Sequence, residues 1–161
     1  MEEIRIYPDP ILRKKATPIK NINGKVKEIV DRMVEVMYAN KGIGLAAPQI
    51  GVLKRVIIVN LGDKFESYIN PEIEIIGNQT ASEDEGCLSI YSVKTEVKRP
   101  NKILFKAKNL KNQDVRIEAE GIEARIFLHE GDHLDGILFI DHLKPEDRKN
   151  FLSKISRNNI L

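Results

Sequence analysis

The residues with the clearest chemical potential form the segment HEGDH at positions 129–133. Two histidines four positions apart lie one turn above each other on the same face of an α-helix, so both imidazoles can bind one metal ion. Glu130 is displaced sideways by one residue and can take a proton from a water molecule that the metal activates, without being a ligand itself. The spacing therefore indicates a hydrolytic metal site, and the competing interpretation is a coincidence on a solvated helix.

Apolar neighbours argue against the solvated helix. Ile122 and Ile126 continue the stripe on which His129 and His133 lie. Two imidazoles on a buried stripe need partners, because an unpaired buried polar group costs roughly 1–3 kcal/mol. A bound metal supplies that partner. Gly131, in mid-helix, costs about 1 kcal/mol relative to alanine and predicts close packing against a neighbouring backbone.

The third ligand decides the class of site. In metzincin proteases the motif continues HExxHxxGxxH, but this chain has Phe139 where that last histidine would be. His142 is a weaker candidate, which we expect to be a surface or hydrogen-bonded histidine. Cys87, the single cysteine, is either a small buried hydrophobic residue or the missing ligand. A Cys/His/His set would leave the fourth position open for water, as hydrolysis requires.

The hydrophobic pattern predicts the elements that position these residues. The spacing predicts a first helix from about Val26 to Tyr38, with Asn23 as its cap, after an extended and irregular proline-containing arm. A second helix opens near Gly121 and is apolar on nearly every side, and a last helix begins at Pro145. Between the first two helices, short runs predict strands at residues 55–60, 67–70, 73–76, 93–98, 102–108 and 115–119.

These elements indicate an α+β fold, with small antiparallel sheets packed around a central buried helix that carries HExxH, plus N-terminal and C-terminal helices. At 161 residues, with 42% hydrophobic and 31% charged residues, the chain is expected to form one globular domain over residues 1–161.

Composition also bounds the function. The formal net charge of +2 argues against a dedicated or sequence-specific nucleic-acid binder, and no apolar run is long enough to span a membrane. A single cysteine excludes an intramolecular disulfide and favours a reducing compartment. The acidic start of the chain leads into no apolar run, so we expect no signal peptide and a cytoplasmic location.

Three segments together resemble the motifs of peptide deformylases, in that family's order and spacing: GIGLAAPQ at 42–49, EGCLS at 85–89 and HEGDHLDG at 129–136. The similarity extends over essentially the whole chain. The resemblance implies that Cys87, His129 and His133 hold one divalent metal ion, Fe(2+) natively, with Zn(2+), Ni(2+) or Co(2+) possible in a purified sample. It implies that Glu130 acts as general base and then acid. The implied substrate is the formyl-methionyl end of a nascent polypeptide, and one product is formate.

The resemblance also assigns the residues around the metal. The side-chain amide of Gln49 and the backbone N–H of Leu88 would stabilise the oxyanion formed on the formyl group. The segment 42–44, Gly42, Ile43 and Gly44, is similar to an edge that pairs with the substrate backbone; the alternative is a glycine-rich turn after the first helix. The residues expected to wall the methionine pocket are Gly86, Leu88, Ile43, Ile122 and Ile126.

Some positions depart from the family pattern. Leu128 stands where the family usually has glutamine, Tyr91 where it often has proline, and Lys94 where an arginine is frequent. These changes leave the metal site intact and bear on the rim of the pocket.

Charged residues near the motifs have a structural interpretation. Arg125 lies one turn before His129 and would either shape the mouth of the pocket or, as we favour, pair with a carboxylate such as Asp132 or Glu123. As a further hypothesis, Glu85 and Arg99 form a structural ion pair beside the metal loop.

Two other functions stay open on the residues alone. HExxH by itself fits a generic zinc endopeptidase, and a closed metal site would fit a non-catalytic binding module stapled by its ion. The basic segment Lys144–Leu161, net +3, fits docking on the ribosome by analogy with relatives, although a solvated helix face explains the charge equally well.

Overall fold

The described part of the chain, residues 3–159 of a computed structural model, forms three α-helices and seven strands; the side chains of residues 91–92 and 156–159 lie outside this description. The helices are α1 (Gly24–Ala39), α2 (Ile122–Leu134) and α3 (Pro145–Asn159). The strands are β1 (Gly44–Ala46), β2 (Val56–Asn60), β3 (Phe65–Ile75), β4 (Thr80–Cys87), β5 (Ile90–Pro100), β6 (Lys102–Lys108) and β7 (Asp114–Glu120). The predicted α+β class is confirmed.

All strand pairs are antiparallel and form two sheets. Five strands pair in the order β1-β2-β3-β6-β7, and β4 pairs with β5 in a separate two-stranded sheet. The segments 67–70 and 73–76, predicted as two strands, fall, apart from residue 76, within the single strand β3, whose register shifts between Ile69 and Glu72. Asn70 lies at this shift with a positive φ of 53°, and its side chain bonds both backbone groups of Ile19 at 2.8 Å. The irregularity thus anchors the N-terminal arm.

Helix α1 forms where the apolar spacing predicts it. The Asn23 side chain accepts a hydrogen bond from the Lys25 N–H at 3.0 Å and caps the helix, as expected. Its apolar face packs against β1 and β2 in one core cluster, whose helical members are Val26, Val30, Met33, Val36 and Met37.

Helix α2 is the central buried helix. It begins after Gly121, whose φ of +64° favours glycine. Phe127 of the helix stacks on Phe105 of β6 with ring centroids 4.1 Å apart, so the helix is fixed against the five-stranded sheet. A Cβ on Gly131 would lie 2.9 Å from Ile73 Cδ1. Close packing is therefore confirmed, but the neighbour is a side chain and not the backbone that we expected.

The N-terminal arm is more ordered than its prolines predict. It contains a short 3₁₀ helix, Pro10–Arg13, capped by the Asp9 side chain. Further back, the Arg5 N–H donates to the Gln49 carbonyl at 2.7 Å and the Tyr7 N–H donates to the Ser89 carbonyl at 2.8 Å. The arm thus joins two segments that are distant in sequence and that both reach the candidate site.

Helix α3 begins at Pro145, as predicted, and packs on β5 through Phe151 and Ile155. Within residues 3–159, no helix has the length and apolar character that crossing a bilayer would need.

Candidate active site

Strand β4 and helix α2 bring the three predicted ligands together. Cys87 ends β4, just after the register of the β4-β5 pair shifts, and His129 and His133 lie one turn apart on α2. Their ligand atoms all lie within 4.8 Å of one another, and Cys87 Sγ is 3.3 Å from His133 Nε2. Sulfur and nitrogen ligands of one tetrahedral zinc ion lie about 3.5 Å apart. The three side chains therefore fit a single divalent metal.

Glu85 orients the first histidine ring. His129 Nδ1 lies 2.9 Å from Glu85 Oε1, and a carboxylate can only accept, so Nδ1 carries the hydrogen. Nε2 is then the nitrogen left for the metal, as in other sites where a carboxylate fixes a histidine ligand. Burial would raise the pKa of the Glu85 carboxyl, but hydrogen bonds from His129 and Arg99 hold that pKa well below its usual range.

Two arginines hold Glu85 in place. Arg99 donates to its two oxygens at 2.7 and 2.9 Å, which confirms the hypothetical ion pair. Arg125 donates to Glu85 Oε2 at 2.6 Å. The expected pairing of Arg125 with a carboxylate is confirmed, but the partner is Glu85 and not Asp132 or Glu123, because the Arg125 side chain is only 6% exposed and points from α2 into the protein, toward β4.

His142 plays the supporting role expected of it. Its Nε2 lies 2.8 Å from Asp132 Oδ2, and the same carboxylate oxygen accepts from Arg99 at 2.9 Å. This histidine is therefore tied to the charge network behind the metal site and not to the ligand set.

Glu130 faces the same centre from α2. Its Oε1 is buried and has no hydrogen-bond partner in the described part of the chain. A Cβ on Gly44 would lie 2.5 Å from Glu130 Oε2, so β1 approaches the carboxylate more closely than any other residue type allows. Burial raises the pKa of Glu130 to about 7, against the opposing effect of His129. A carboxylate with that pKa can take up and release a proton near neutral pH.

Gln49 reaches the centre from the opposite side. It is 1% exposed, and its side-chain oxygen accepts from the Ala46 N–H at 2.9 Å. Its Nε2 donates to Ser89 Oγ at 3.0 Å and lies 3.6 Å from Cys87 Sγ. The amide hydrogens therefore point to the metal side of the site.

A cavity of about 980 Å³ opens in front of these groups. Every predicted site residue except His133 lines this cavity: Gly42, Ile43, Gly44, Gln49, Gly86, Cys87, Leu88, Ile122, Ile126, His129 and Glu130. Ile43 and Ile122 are 57% and 66% exposed and form apolar parts of the rim. An apolar cavity with a few convergent polar groups is typical of a substrate site.

The positions that depart from the family pattern lie in different surroundings. A Cβ on Gly86 would lie 3.1 Å from Lys94 Cγ, so the Lys94 stem covers this wall of the cavity. Leu128 packs against the core around α2. Tyr91 lies outside the described side chains.

Sequence reasoning missed two contributions to the site. Ile4 and Ile6 of the N-terminal arm line the cavity, and no local pattern connects the arm to residues 80 positions away. The sequence singles out Ser89 only as a member of the EGCLS segment, although its burial and its hydrogen bond with Gln49 place it beside the candidate ligands. The one signal that could have identified Ser89 is that it is a polar residue close to the candidate metal ligand in the EGCLS segment.

Comparisons with known proteins agree with this geometry. The sequence model of a family described as polypeptide deformylase matches residues 1–149. The peptide deformylase of Thermodesulfovibrio yellowstonii is 45% identical over 157 residues, which cover 94% of each chain. A crystal structure of peptide deformylase from Thermotoga maritima has a TM-score of 0.86 and 41% identity, covering 90% of this chain and 99% of that one. A Plasmodium falciparum peptide deformylase in complex with an inhibitor has a TM-score of 0.88 and 36% identity, covering 96% and 97%.

Proposed function

The chain belongs to the polypeptide deformylase family, and we propose on that premise how its residues divide the work of the reaction. It is a metal-dependent hydrolase that removes the formyl group from the N-terminal formyl-methionine of newly synthesised proteins and releases formate. The proposal concerns the ligands, the proton carrier, the oxyanion donors and the pocket, and it treats residues 1–161 as one catalytic domain.

Cys87, His129 and His133 are the proposed metal ligands. A divalent ion held there supplies a nucleophile at neutral pH, because it lowers the pKa of bound water from 15.7 to about 7. Fe(2+) is the proposed native ion, and Zn(2+), Ni(2+) and Co(2+) are ions that the same ligands accept. Glu85 supports the ligand set by holding the His129 ring through Nδ1.

Glu130 is the proposed proton carrier. Its unpartnered Oε1 accepts the proton of the attacking water, and the carboxyl group then gives that proton to the departing nitrogen. The bond between the formyl carbon and this nitrogen breaks, leaving formate and a free amino terminus. A pKa of about 7 suits both halves of this exchange.

Gln49 and Leu88 are the proposed oxyanion donors, through the side-chain amide and the backbone N–H. The free edge of β1 and the preceding Gly42 and Ile43 would pair with the substrate backbone, since β2 is the only neighbour of β1 among the strands of residues 3–159. The methionine side chain would enter between Gly86, Leu88, Ile43, Ile122 and Ile126, all of which line the cavity.

The observation that carries this assignment is the convergence of three ligand atoms within 4.8 Å of one another, next to a buried carboxylate. Glu130→Gln tests it, because glutamine keeps the shape of the side chain and cannot accept the proton. We expect one metal ion per chain to be retained, while formate release from a formyl-Met peptide falls by at least about 100-fold. Unchanged formate release would contradict the role of Glu130, and loss of the metal would assign it to the ligand set.

The wider setting of the reaction is also a proposal. The enzyme would act on nascent chains in the cytoplasm, and the basic segment 144–161, net +3, would hold it near the ribosome. We expect replacement of Arg148 and Lys149 by glutamate to abolish co-sedimentation of the enzyme with ribosomes. Formate release from a free peptide should stay unchanged.

A further inference from the structure

Ser89 is a buried polar residue to which the proposed function gives no task. It follows Leu88 in the chain and is 0% exposed. Its Oγ accepts a hydrogen bond from Gln49 Nε2 at 3.0 Å, and its carbonyl accepts from the Tyr7 N–H at 2.8 Å. A hydroxyl in this position can control the direction of the Gln49 amide.

The orientation of that amide is set by its surroundings. The Ala46 N–H can only donate, so the atom of Gln49 that faces it at 2.9 Å is the oxygen. The two amide hydrogens must then point to the other side, one to Ser89 Oγ and the other toward Cys87 Sγ, 3.6 Å away. Sulfur is a weak acceptor, so this second hydrogen stays available to a stronger acceptor that enters the site on the same side.

We propose that Ser89 is a positioning residue, which holds one N–H of Gln49 so that the other is directed at the oxyanion formed on the formyl group. The proposal rests on the proposed function, because it takes Gln49 as an oxyanion donor. Donors that are already oriented stabilise developing charge without reorganising during the reaction. Without the Ser89 hydroxyl, the amide would keep one short hydrogen bond, from the Ala46 N–H, and the weak contact with Cys87 Sγ, and it could pivot and lose that direction.

The N-terminal arm makes a clean test possible. The Arg5 N–H holds the Gln49 carbonyl at 2.7 Å, and the Tyr7 N–H holds the Ser89 carbonyl at 2.8 Å. These bonds involve backbone atoms only, so replacing the Ser89 side chain leaves both backbones fixed. The variant Ser89→Ala then removes the hydroxyl and little else.

Steady-state kinetics give the first readout. For Ser89→Ala we expect kcat on a formyl-Met peptide to fall about 10- to 100-fold with KM little changed. The misdirected Gln49 amide would weaken its contact with the oxyanion, and that contact is made only in the transition state. Ser89→Thr keeps a hydroxyl and should recover most of kcat. Ser67→Ala is the matched control, since Ser67 is a buried serine of β3 and should keep the parent kcat. An unchanged kcat in Ser89→Ala, or an equal loss in the control, would overturn the proposal.

A double variant separates positioning from a general structural effect. If Ser89 acts through Gln49, then adding Ser89→Ala to Gln49→Ala causes no further loss of kcat. A double variant whose loss of kcat equals the product of the two single losses would contradict the proposal. A Gln49→Ala variant with the parent kcat would instead contradict the oxyanion role assigned under the proposed function, so the two failures are distinguishable.

Nuclear magnetic resonance of the Zn(2+)-loaded protein gives a readout that does not depend on activity. The side-chain amide signals of Gln49 are the pair that disappears in Gln49→Ala. In the parent protein we expect them to exchange slowly with solvent, and in Ser89→Ala at least one should exchange more than about tenfold faster while the Ala46 N–H stays protected. Rapid exchange in the parent would overturn the proposal, whether or not the alanine variant folds.

Discussion

Gly44 shows how tightly single residues are fitted around the reacting groups. A Cβ at this position would lie 2.5 Å from Glu130 Oε2 and 3.0 Å from Glu130 Cδ. The carboxylate would have to move, and with it the group proposed to carry the proton. This close approach explains why a glycine stands between Ile43 and Leu45 in the first strand.

We therefore expect Gly44→Ala to lower kcat for formyl-Met peptide by about 100-fold, since a 1 Å misplacement of a catalytic group can cost that much. Metal content should stay at one ion per chain, because Cys87, His129 and His133 are not displaced. Gly24→Ala is the control: no other group lies within 4 Å of a Cβ there, so its kcat should match the parent. Normal turnover by Gly44→Ala would show that Glu130 does not need its present position.

For single residues, much of the candidate site can be predicted from the sequence. The HExxH spacing predicts two ligands and a base from helix geometry alone, and the resemblance adds Cys87, Gln49 and Leu88. The hydrogen-bond partners of these residues could not be predicted, because bonds between segments distant in sequence produce no regular spacing along the chain. Arg125 illustrates this: its charge predicts a carboxylate partner, but Glu85 lies 40 positions away in sequence.

Between elements, the charged cluster around Glu85 connects the small sheet to α2. Arg125 of α2 donates to the Val97 carbonyl of β5 and to the Ala81 carbonyl of β4, each at 2.8 Å, in addition to Glu85. One side chain therefore joins the metal-bearing helix to both strands of the sheet that supplies Cys87. Its removal takes the arginine donor from two backbone carbonyls and one of three donors from Glu85, which keeps Arg99 and His129.

We expect Arg125→Met to lower the free energy of unfolding by about 3 kcal/mol, the usual scale for breaking a buried ion pair. It should also weaken Zn(2+) binding about 10-fold, because Glu85 no longer holds the His129 ring as firmly. Urea denaturation and competition with a chelator measure the two effects. Arg116→Met, on the exposed face of β7, is the matched control, and a stability equal to that control would contradict the connecting role.

Helices were predicted better than strands, for a physical reason. Helix α1 has its apolar residues at helical spacing and an asparagine cap, so its residues alone specify it. Strand β4 has the sequence TASEDEGC, which has few residues with β-propensity, and it forms because it pairs with β5 along its length. Strand propensity depends on such neighbours, and the neighbours are known only once the chain has folded.

At the scale of the whole molecule, an ion pair connects the N-terminal arm to the segment before α3. Arg13 of the arm donates to Asp141, which precedes α3, at 2.6 and 3.1 Å. Burial opposes ionisation of Asp141, but the hydrogen bond from Arg13 and one from the Leu138 N–H lower the pKa of this carboxyl below 3.8. A carboxyl whose pKa is lower in the folded state adds stability above its unfolded pKa and loses that contribution as pH falls through the folded pKa.

We therefore expect Asp141→Asn to be less stable than the parent at pH 7 and to lose less of its stability on acidification through pH 4 to 2. Thermal unfolding across this range, with metal-free samples of both proteins, measures the difference. Asp31→Asn is the control, since Asp31 pairs with Lys27 on the surface of α1 with both side chains about 60% exposed. Parallel stability profiles for Asp141→Asn and the parent would contradict this assignment.

The placement of the arm has a practical consequence for anyone producing this enzyme. Glu3, Ile4 and Ile6 form part of the cavity wall, so we expect an affinity tag fused at the N-terminal end of the chain to interfere with binding in this cavity. Such a tag would compete with the formyl-Met substrate for access to the cavity. Kinetic constants measured on the tagged protein would then differ from those of the untagged enzyme.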